Sequence, residues 1–237
     1  MNHVDRRHGF TLIELMLAMA FVSALLIAIA MTVVQVASIY NRGITLKEVN
    51  QSGRSIASEL QRSIAQTALF SVDSTNPGSK FINQEWGGRL CIGQYSYVWN
   101  YGKYIKLGDT SRLNVYSNST EGIRFVKVLD ANASYCTTVP LPKIDSSSAV
   151  EMIDVSEHDL SMHSFMISSS NTAIDNKTGQ QLYNIEFLLG TNDQLALMFD
   201  PSGFVTGCKP PNEVGSDPTY CSVNQFNIIA RAGNTVK

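Results

Sequence analysis

One carboxylate stands alone in a long apolar stretch near the start of the chain. Residues 10–36 read FTLIELMLAMAFVSALLIAIAMTVVQV, and Glu14 is the only charged residue among them. A charged side chain inside a membrane is costly unless it finds a partner, so a residue of this kind indicates a function. The chemistry that Glu14 offers is the pairing of a negative charge with a cation.

The stretch that contains Glu14 is long enough to span a bilayer. Its 27 residues form a helix of about 40 Å at a rise of about 1.5 Å per residue, which exceeds a hydrocarbon core of about 30 Å. Arg6 and Arg7 resemble the charged region of a signal peptide. The apolar run is too long for one, however, and no small-x-small cleavage site ends it. The two arginines are expected in the cytoplasm, and the chain from about residue 40 onward outside.

The residues around this carboxylate resemble the N-terminus of a type IV prepilin. The sequence RRHG, which ends in Gly9, is followed by FTLIEL, which begins at Phe10. The resemblance implies that residues 1–9 are a leader, that a prepilin peptidase cuts between Gly9 and Phe10, and that the Phe10 amine is then methylated. It also implies that Glu14, the fifth mature residue, pairs with the freed amine of a neighbouring subunit, so that two costly charges compensate each other. The alternative is an ordinary single-pass anchor with an accidental Glu.

The helix is expected to continue past the membrane. Residues 44–67 contain no Pro, and the apolar positions of this segment recur at helical spacing on one stripe that also includes Gly53: Val49, Ile56, Leu60 and Ile64. The helix is therefore predicted to cover residues 10–67, with weak points at Gly43 and Gly53. The pattern of small and charged residues here is similar to J-type pseudopilins and W-type minor pilins. Together with the lack of a mid-span Pro, it ranks a minor pilin above a major pilin.

The composition changes at about residue 72, where a turn-rich connector leads to a series of short strand-like runs. Clusters of Gly, Asn, Asp and Ser separate these runs, which predicts a mostly antiparallel β head of residues 68–237 packed against the helix stripe. The fold class is thus predicted to be α+β. The candidate strands are 90–101, 104–107, 113–116, 123–129, 150–155, 164–168, 182–189 and 194–200.

Four cysteines follow the helix, and an even number in an exported domain predicts two disulfides. Three pairings are open to Cys91, Cys136, Cys208 and Cys221. The loop CKPPNEVGSDPTYC is rich in Pro, Gly and Asp and gains from a clamp of about 3 kcal/mol, which favours Cys208 with Cys221. That choice leaves Cys91 with Cys136. The prepilin resemblance adds that pilins often close a C-terminal surface loop in this way.

Two histidines are the nearest approach to a metal or acid–base cluster. His158, which lies between Glu157 and Asp159, and His163 are five residues apart, a spacing that suits neither a helix face nor a strand face. The favoured interpretation is a solvated polar turn. No CxxC pair, nucleophile elbow, P-loop or HExxH motif occurs, so the sequence predicts no metal site, no cofactor and no enzyme. A formal net charge of −2 gives no indication of a nucleic-acid surface.

An aromatic ladder occurs in the run YSYVWNY. Tyr95, Tyr97, Trp99 and Tyr101 occupy alternate positions and share one face of a strand. Such a ladder either fills a core or forms an exposed platform that binds sugars or partner subunits. We favour the core, packed against the long helix, and retain the platform as the alternative.

These observations predict a structural subunit, a minor type IV pilin or pseudopilin, with no catalytic activity. Its expected partners are the prepilin peptidase, other pilins, the inner-membrane assembly machinery and membrane lipid. Its expected location is the cytoplasmic membrane in a single pass with a cytoplasmic N-terminus, and then a surface pilus or pseudopilus. The alternatives are a major pilin, a tip-located adhesin that binds a surface glycan or host ligand, and an uncut membrane-anchored sensor or enzyme.

Overall fold

The computed structural model describes residues 10–73, 76, 78–107, 112–137, 143–153, 158–169 and 179–233. The chain divides into two compact units, residues 1–41 and residues 42–237. The first unit contains the N-terminal part of helix α1, and the second contains the rest of α1 and the β head.

Helix α1 runs from Leu12 to Ala65, a length of 54 residues or about 80 Å. It matches the predicted helix to within two residues at each end, and neither Gly43 nor Gly53 interrupts it. Its buried residues begin at Thr45. The predicted stripe is confirmed, because all four of its apolar side chains are fully buried: Val49, Ile56, Leu60 and Ile64.

In the described part of the chain, ten strands and two short helices follow α1. The strands are β1 (Phe81–Gln84), β2 (Gly87–Ile92), β3 (Tyr95–Asn100), β4 (Phe125–Leu129), β5 (Ala149–Glu151), β6 (Leu160–Ser169), β7 (Gln181–Thr191), β8 (Leu197–Phe199), β9 (Val205–Cys208) and β10 (Val223–Ala232); the helices are α2 (Gly102–Leu107) and α3 (Ser134–Thr137). They form a five-stranded sheet in the order β1-β2-β3-β4-β5, a three-stranded sheet in the order β10-β7-β6 and the hairpin β8-β9. Every strand pair is antiparallel. The predicted α+β class is confirmed.

The core lies between the α1 stripe and the inner faces of the two larger sheets. Its centre is aromatic: the Trp99 ring centroid lies 4.5 Å from that of Phe165 and 5.8 Å from that of Phe125. A second apolar cluster, with Val98 and Val126, lies on the opposite face of β3 and β4. Strand β3 is thus covered on both faces, and five of its six residues are buried.

Three strand predictions differ from the structure, and residues 154 and 155 of the predicted strand 150–155 lie outside the described residues. The predicted strand 113–116 forms only isolated bridges, at Val115 and Tyr116. The predicted strand 90–101 is a hairpin of β2 and β3 that turns at Gly93, whose positive φ of 60° suits glycine. The predicted strand 104–107 lies in α2, because four residues are too few to distinguish a helical period from a strand period. Strands β1, β9 and β10 were not predicted at all.

Candidate functional site

The proposed processing site lies at the edge of the described residues. Gly9 and the rest of the leader, residues 1–9, are outside them. Phe10 is described, and 82% of it is exposed. The backbone on the carboxyl side of the Gly9–Phe10 bond is therefore not packed against other parts of the described chain.

Glu14 caps the first turn of α1. Its Oε2 accepts hydrogen bonds from the Thr11 backbone N–H at 2.9 Å and from Thr11 Oγ1 at 2.8 Å. In return, the Glu14 backbone N–H donates to Thr11 Oγ1 at 3.4 Å. This is a capping box, with Thr11 as the N-cap and Glu14 three residues later. This capping box is not among the sequence predictions, although its signal TLIE, a Thr followed three residues on by a Glu before an apolar run, is present.

The N-terminal part of α1 exposes apolar side chains on all sides. An 18-residue window of this helix has a mean hydropathy of 2.6, and none of that window is buried. The helix is long and apolar enough to cross a membrane, and its exposure distinguishes it from a core helix. So large an apolar surface marks contact with lipid or with other protein.

The second half of α1 fits closely against β10. A Cβ on Gly53 would lie 2.1 Å from the Phe226 ring, so the ring occupies the space that a side chain would need. We call this gap at Gly53, which the Phe226 ring fills, the notch. Two polar contacts flank it. Gln61 Nε2 donates to the Ile229 carbonyl at 3.1 Å, and Asn224 Nδ2 donates to Asn50 Oδ1 at 2.7 Å. Strand β10 is an edge strand, so these contacts help to cover an edge that would otherwise be open.

A partly buried carboxylate joins α1 to the five-stranded sheet. Glu59 Oε1 lies 2.6 Å from Lys127 Nζ, and it accepts hydrogen bonds from Tyr97 Oη and Ser63 Oγ at 3.2 Å each. Burial alone would raise the pKa of Glu59, but the hydrogen bond and charge of Lys127, aided by Tyr97 and Ser63, leave this pKa below its usual range. Burial and the Glu59 charge raise the pKa of Tyr97. Glu59 is therefore an anion at neutral pH and fixes the orientation of α1 on β3 and β4.

The four cysteines form the two disulfides that the sequence analysis favoured. Cys208 pairs with Cys221, at a Cα–Cα distance of 5.9 Å, and Cys91 pairs with Cys136, at 6.2 Å. The first closes the Pro-rich loop after β9, and the second ties β2 to α3. No described cysteine remains free to bind a metal.

The aromatic ladder belongs to the core, and the exposed-platform alternative was wrong. Tyr97 and Trp99 are fully buried, and Tyr101 is nearly so. Tyr95 is half-buried beneath Lys127, whose Nζ lies 3.8 Å from the ring centroid. The reason is the position of β3, a central strand whose aromatic face is covered by α1 and β6.

The two histidines do not form a solvated turn, so that interpretation was also wrong. His163 lies in β6, is buried, and places Nε2 3.0 Å from the Thr191 carbonyl. Burial lowers the pKa of His163 to about 4. His158 bridges to α1, with Nδ1 2.7 Å from Glu48 Oε2 and Nε2 3.1 Å from Thr45 Oγ1. Among the described residues no three His, Cys, Asp or Glu side chains are grouped so as to hold a metal ion.

Comparison of this chain with protein-family models, with curated proteins and with solved structures gives no match. The architecture is compatible with a pilin, since it combines a long N-terminal apolar helix with a β domain that packs on the second half of that helix.

Proposed function

We propose that this protein is a minor type IV pilin or pseudopilin, a structural subunit that enters or primes a pilus-like filament after cleavage between Gly9 and Phe10. The subunit has no catalytic activity of its own. It enters the cytoplasmic membrane through α1 with its N-terminus in the cytoplasm, and it leaves the membrane when other pilins and the assembly machinery take it into the filament.

The observation that carries this proposal is the position of Glu14. It is the only charged residue among residues 10–36, and it is the fifth residue after the glycine that ends a short basic leader. A plain anchor can use this carboxylate only to cap α1 through Thr11, a role that needs an acceptor and not a charge. A filament subunit does gain from the charge, because cleavage creates a cation at Phe10 that needs a counter-charge among packed apolar helices.

The described structure supports the proposal in two further respects. The N-terminal part of α1 has an apolar surface all around it, as a helix that moves from lipid into a bundle of helices requires. The head holds the second half of α1 by burial, a notch at Gly53 and a partly buried ion pair at Glu59. A pull on the helix would thus be transmitted to the head.

The test is the mass of the protein after exposure to a prepilin peptidase. Full-length protein is co-expressed with an active peptidase, extracted from membranes and analysed by intact mass spectrometry. The expected species lacks residues 1–9 and carries one methyl group on Phe10. Gly9→Val is expected to block cleavage, because a branched side chain does not fit where the family has a glycine.

Gly43→Ala is the matched control, since no atom lies within 4 Å of a Cβ at that position, and it should be processed like the unaltered chain. Recovery of only uncut protein, from cells whose peptidase cleaves a reference prepilin, would reject the assignment and leave an ordinary membrane anchor.

A further inference from the structure

A cleft of about 640 Å³ opens in the head. It lies between the end of β1, the start of α2, the middle of β6 and the turn that joins β8 to β9. We refer to it as the β1–β6 cleft. Its volume is within the range of about 300–1,000 Å³ that is typical of small-molecule sites, and filament assembly as proposed above makes no use of it.

Aromatic and apolar side chains form part of the cleft wall. Tyr101 and Phe165 lie deep in it, and Tyr104 is half-buried at its side. Phe204 and Met166 are each 59% exposed at its mouth. Large side chains that are exposed around a concavity offer flat surfaces on which the apolar face of a ligand can rest.

Charged groups of both signs surround these aromatic side chains. Glu85, Lys103 and Asp200 all line the cleft, and none of the three forms an ion pair with another described residue. Lys103 reaches across the mouth, since its Nζ would lie 3.2 Å from a Cβ on Gly203. A ligand here must donate hydrogen bonds to carboxylates and also accept one from an ammonium group.

The strand edges at the bottom of the cleft are already occupied by side chains. Tyr101 Oη donates to Asn83 Oδ1 at 2.6 Å, and Asn83 Nδ2 donates to the Phe165 carbonyl at 3.3 Å. This link joins β1 to β6 and uses the carbonyl that an added strand would need. An extended peptide therefore cannot add a strand here by backbone pairing. A ligand of this cleft must be recognised by side chains.

We propose that the β1–β6 cleft binds a neutral saccharide. The C–H face of a sugar ring packs on Tyr104 and Phe204. Sugar hydroxyls donate to Glu85 and Asp200 and accept from Lys103, because a hydroxyl can do both and hydrogen bonds to charged groups are the stronger ones. A polyanion does not suit a cleft with two carboxylates.

The experiment measures saccharide binding by the full-length protein in a detergent without a sugar head group. The panel contains neutral hexose and N-acetylhexosamine oligosaccharides, a sulfated oligosaccharide and an extended heptapeptide. Hits from an array are measured by titration calorimetry. The expected result is binding of at least one neutral saccharide, and about tenfold weaker binding for each of Tyr104→Ala and Phe204→Ala.

Two further variants make the test specific. Asp200→Asn keeps an acceptor for the Phe204 backbone N–H, which Asp200 Oδ1 accepts at 2.8 Å; it removes only the charge and should also weaken binding. Val150→Ala, at an exposed position on β5, is the control and should bind like the unaltered protein. The proposal is overturned by no binding of any neutral saccharide, by binding that Phe204→Ala and Asp200→Asn leave unchanged, or by preference for the sulfated probe or the peptide.

Discussion

The Glu14 carboxylate caps α1, and its proposed second role is to pair with a cation in a filament. In the single chain it caps α1 through Thr11, where a negative charge near a helix N-terminus is also favourable. In the proposed filament it faces the freed Phe10 amine of a neighbouring subunit. These roles depend on different properties, since the capping box needs only an acceptor and the pairing needs a charge.

Substitutions at these positions separate the two roles. Glu14→Gln keeps an acceptor for Thr11 but loses the charge, so we expect it to lower filament incorporation nearly as much as Glu14→Ala. Glu14→Asp should keep part of the incorporation. Thr11→Val removes the hydroxyl of the capping box and leaves the charge, so it should be much milder than Glu14→Gln. The measurement is the variant content of sheared filaments relative to total cellular protein, with cleavage at Gly9 checked in parallel.

Normal incorporation of Glu14→Ala would eliminate the charge-pairing mechanism, although not the anchoring role of α1. Normal incorporation of Glu14→Gln with loss in Thr11→Val would assign the importance of Glu14 to the cap.

His163 makes stability depend on pH. Its folded pKa of about 4 lies below an unfolded pKa of about 6.5, so between these values the unfolded chain binds a proton that the folded chain does not. Stability therefore falls as pH decreases through this window, by about 2 kcal/mol between pH 7 and pH 5. The cause is burial, which outweighs the hydrogen bond at the Thr191 carbonyl and the Asp159 charge.

The check is chemical denaturation of the full-length protein at pH 7 and pH 5, beside His163→Gln. Gln offers an amide donor for the Thr191 carbonyl and does not titrate. Other groups contribute equally to both proteins, so the difference between their two pH slopes belongs to His163. Equal slopes would show that His163 is solvated in the folded protein.

The fit of α1 on β10 depends on the absence of a side chain at Gly53. Glycine inside a helix costs about 1 kcal/mol relative to Ala, yet at Gly53 the Phe226 ring fills the place of the Cβ. Phe226 also stacks on Phe187, at a centroid distance of 5.0 Å, so its ring cannot turn away without losing that contact. Close approach of helix and strand thus offsets the lower helix propensity.

Gly53→Ala should destabilise the head by about 1–3 kcal/mol through overpacking. Gly43→Ala should stabilise the protein by about 0.5–1 kcal/mol, because it has open space and gains helix propensity. The second substitution Phe226→Leu should relieve part of the cost of Gly53→Ala in a double-mutant cycle. The measurement is thermal or denaturant unfolding of the unaltered protein, the three single variants and the double variant. A stabilising Gly53→Ala would show that the notch is not tight.

The elements that sequence predicted best are those with a long and regular period. The α1 stripe of Val49, Ile56 and Leu60 follows the helical repeat over many turns, so its burial could be predicted. Strand β10 could not, since VNQFNIIARA mixes polar and apolar residues and owes its place to the ladder with β7 and to contacts from α1. Contacts between distant segments, such as the β1–β6 cleft or the link from His158 to Glu48, have no local pattern in the sequence.

Some features of the site residues could likewise be predicted from the sequence, and others could not. The cysteine pairing could be predicted, because one loop clearly needed a clamp and only one other pair remained. The burial of His163 could not, because its cover comes from strands that are distant in sequence. Glu14 could be identified from its charge alone. Its hydrogen bonds with Thr11 could be predicted only from the capping-box pattern.

The two units differ in burial: the described residues of the first are largely exposed, whereas the second contains the packed core. Every buried residue of α1 lies at Thr45 or beyond, within the unit of residues 42–237. The unit of residues 1–41 contains the apolar stretch, whose described side chains are exposed. The apolar surface that needs lipid or partner helices to cover it therefore belongs to the unit of residues 1–41. The packed core belongs to the unit of residues 42–237.

A chain of residues 42–237, exported to an oxidising compartment, should therefore fold without detergent. It keeps the α1 stripe, the Glu59–Lys127 pair and both disulfides, and it loses the surface that water solvates poorly. We expect a soluble monomer by size-exclusion chromatography with light scattering, with no free thiols and a melting temperature within a few degrees of that of the full-length protein in micelles. The same chain with Gly53→Ala should melt at a lower temperature, which shows that the α1–β10 fit has formed. Aggregation of the truncated chain, or free thiols in it, would mean that residues 10–41 are needed for the head to fold.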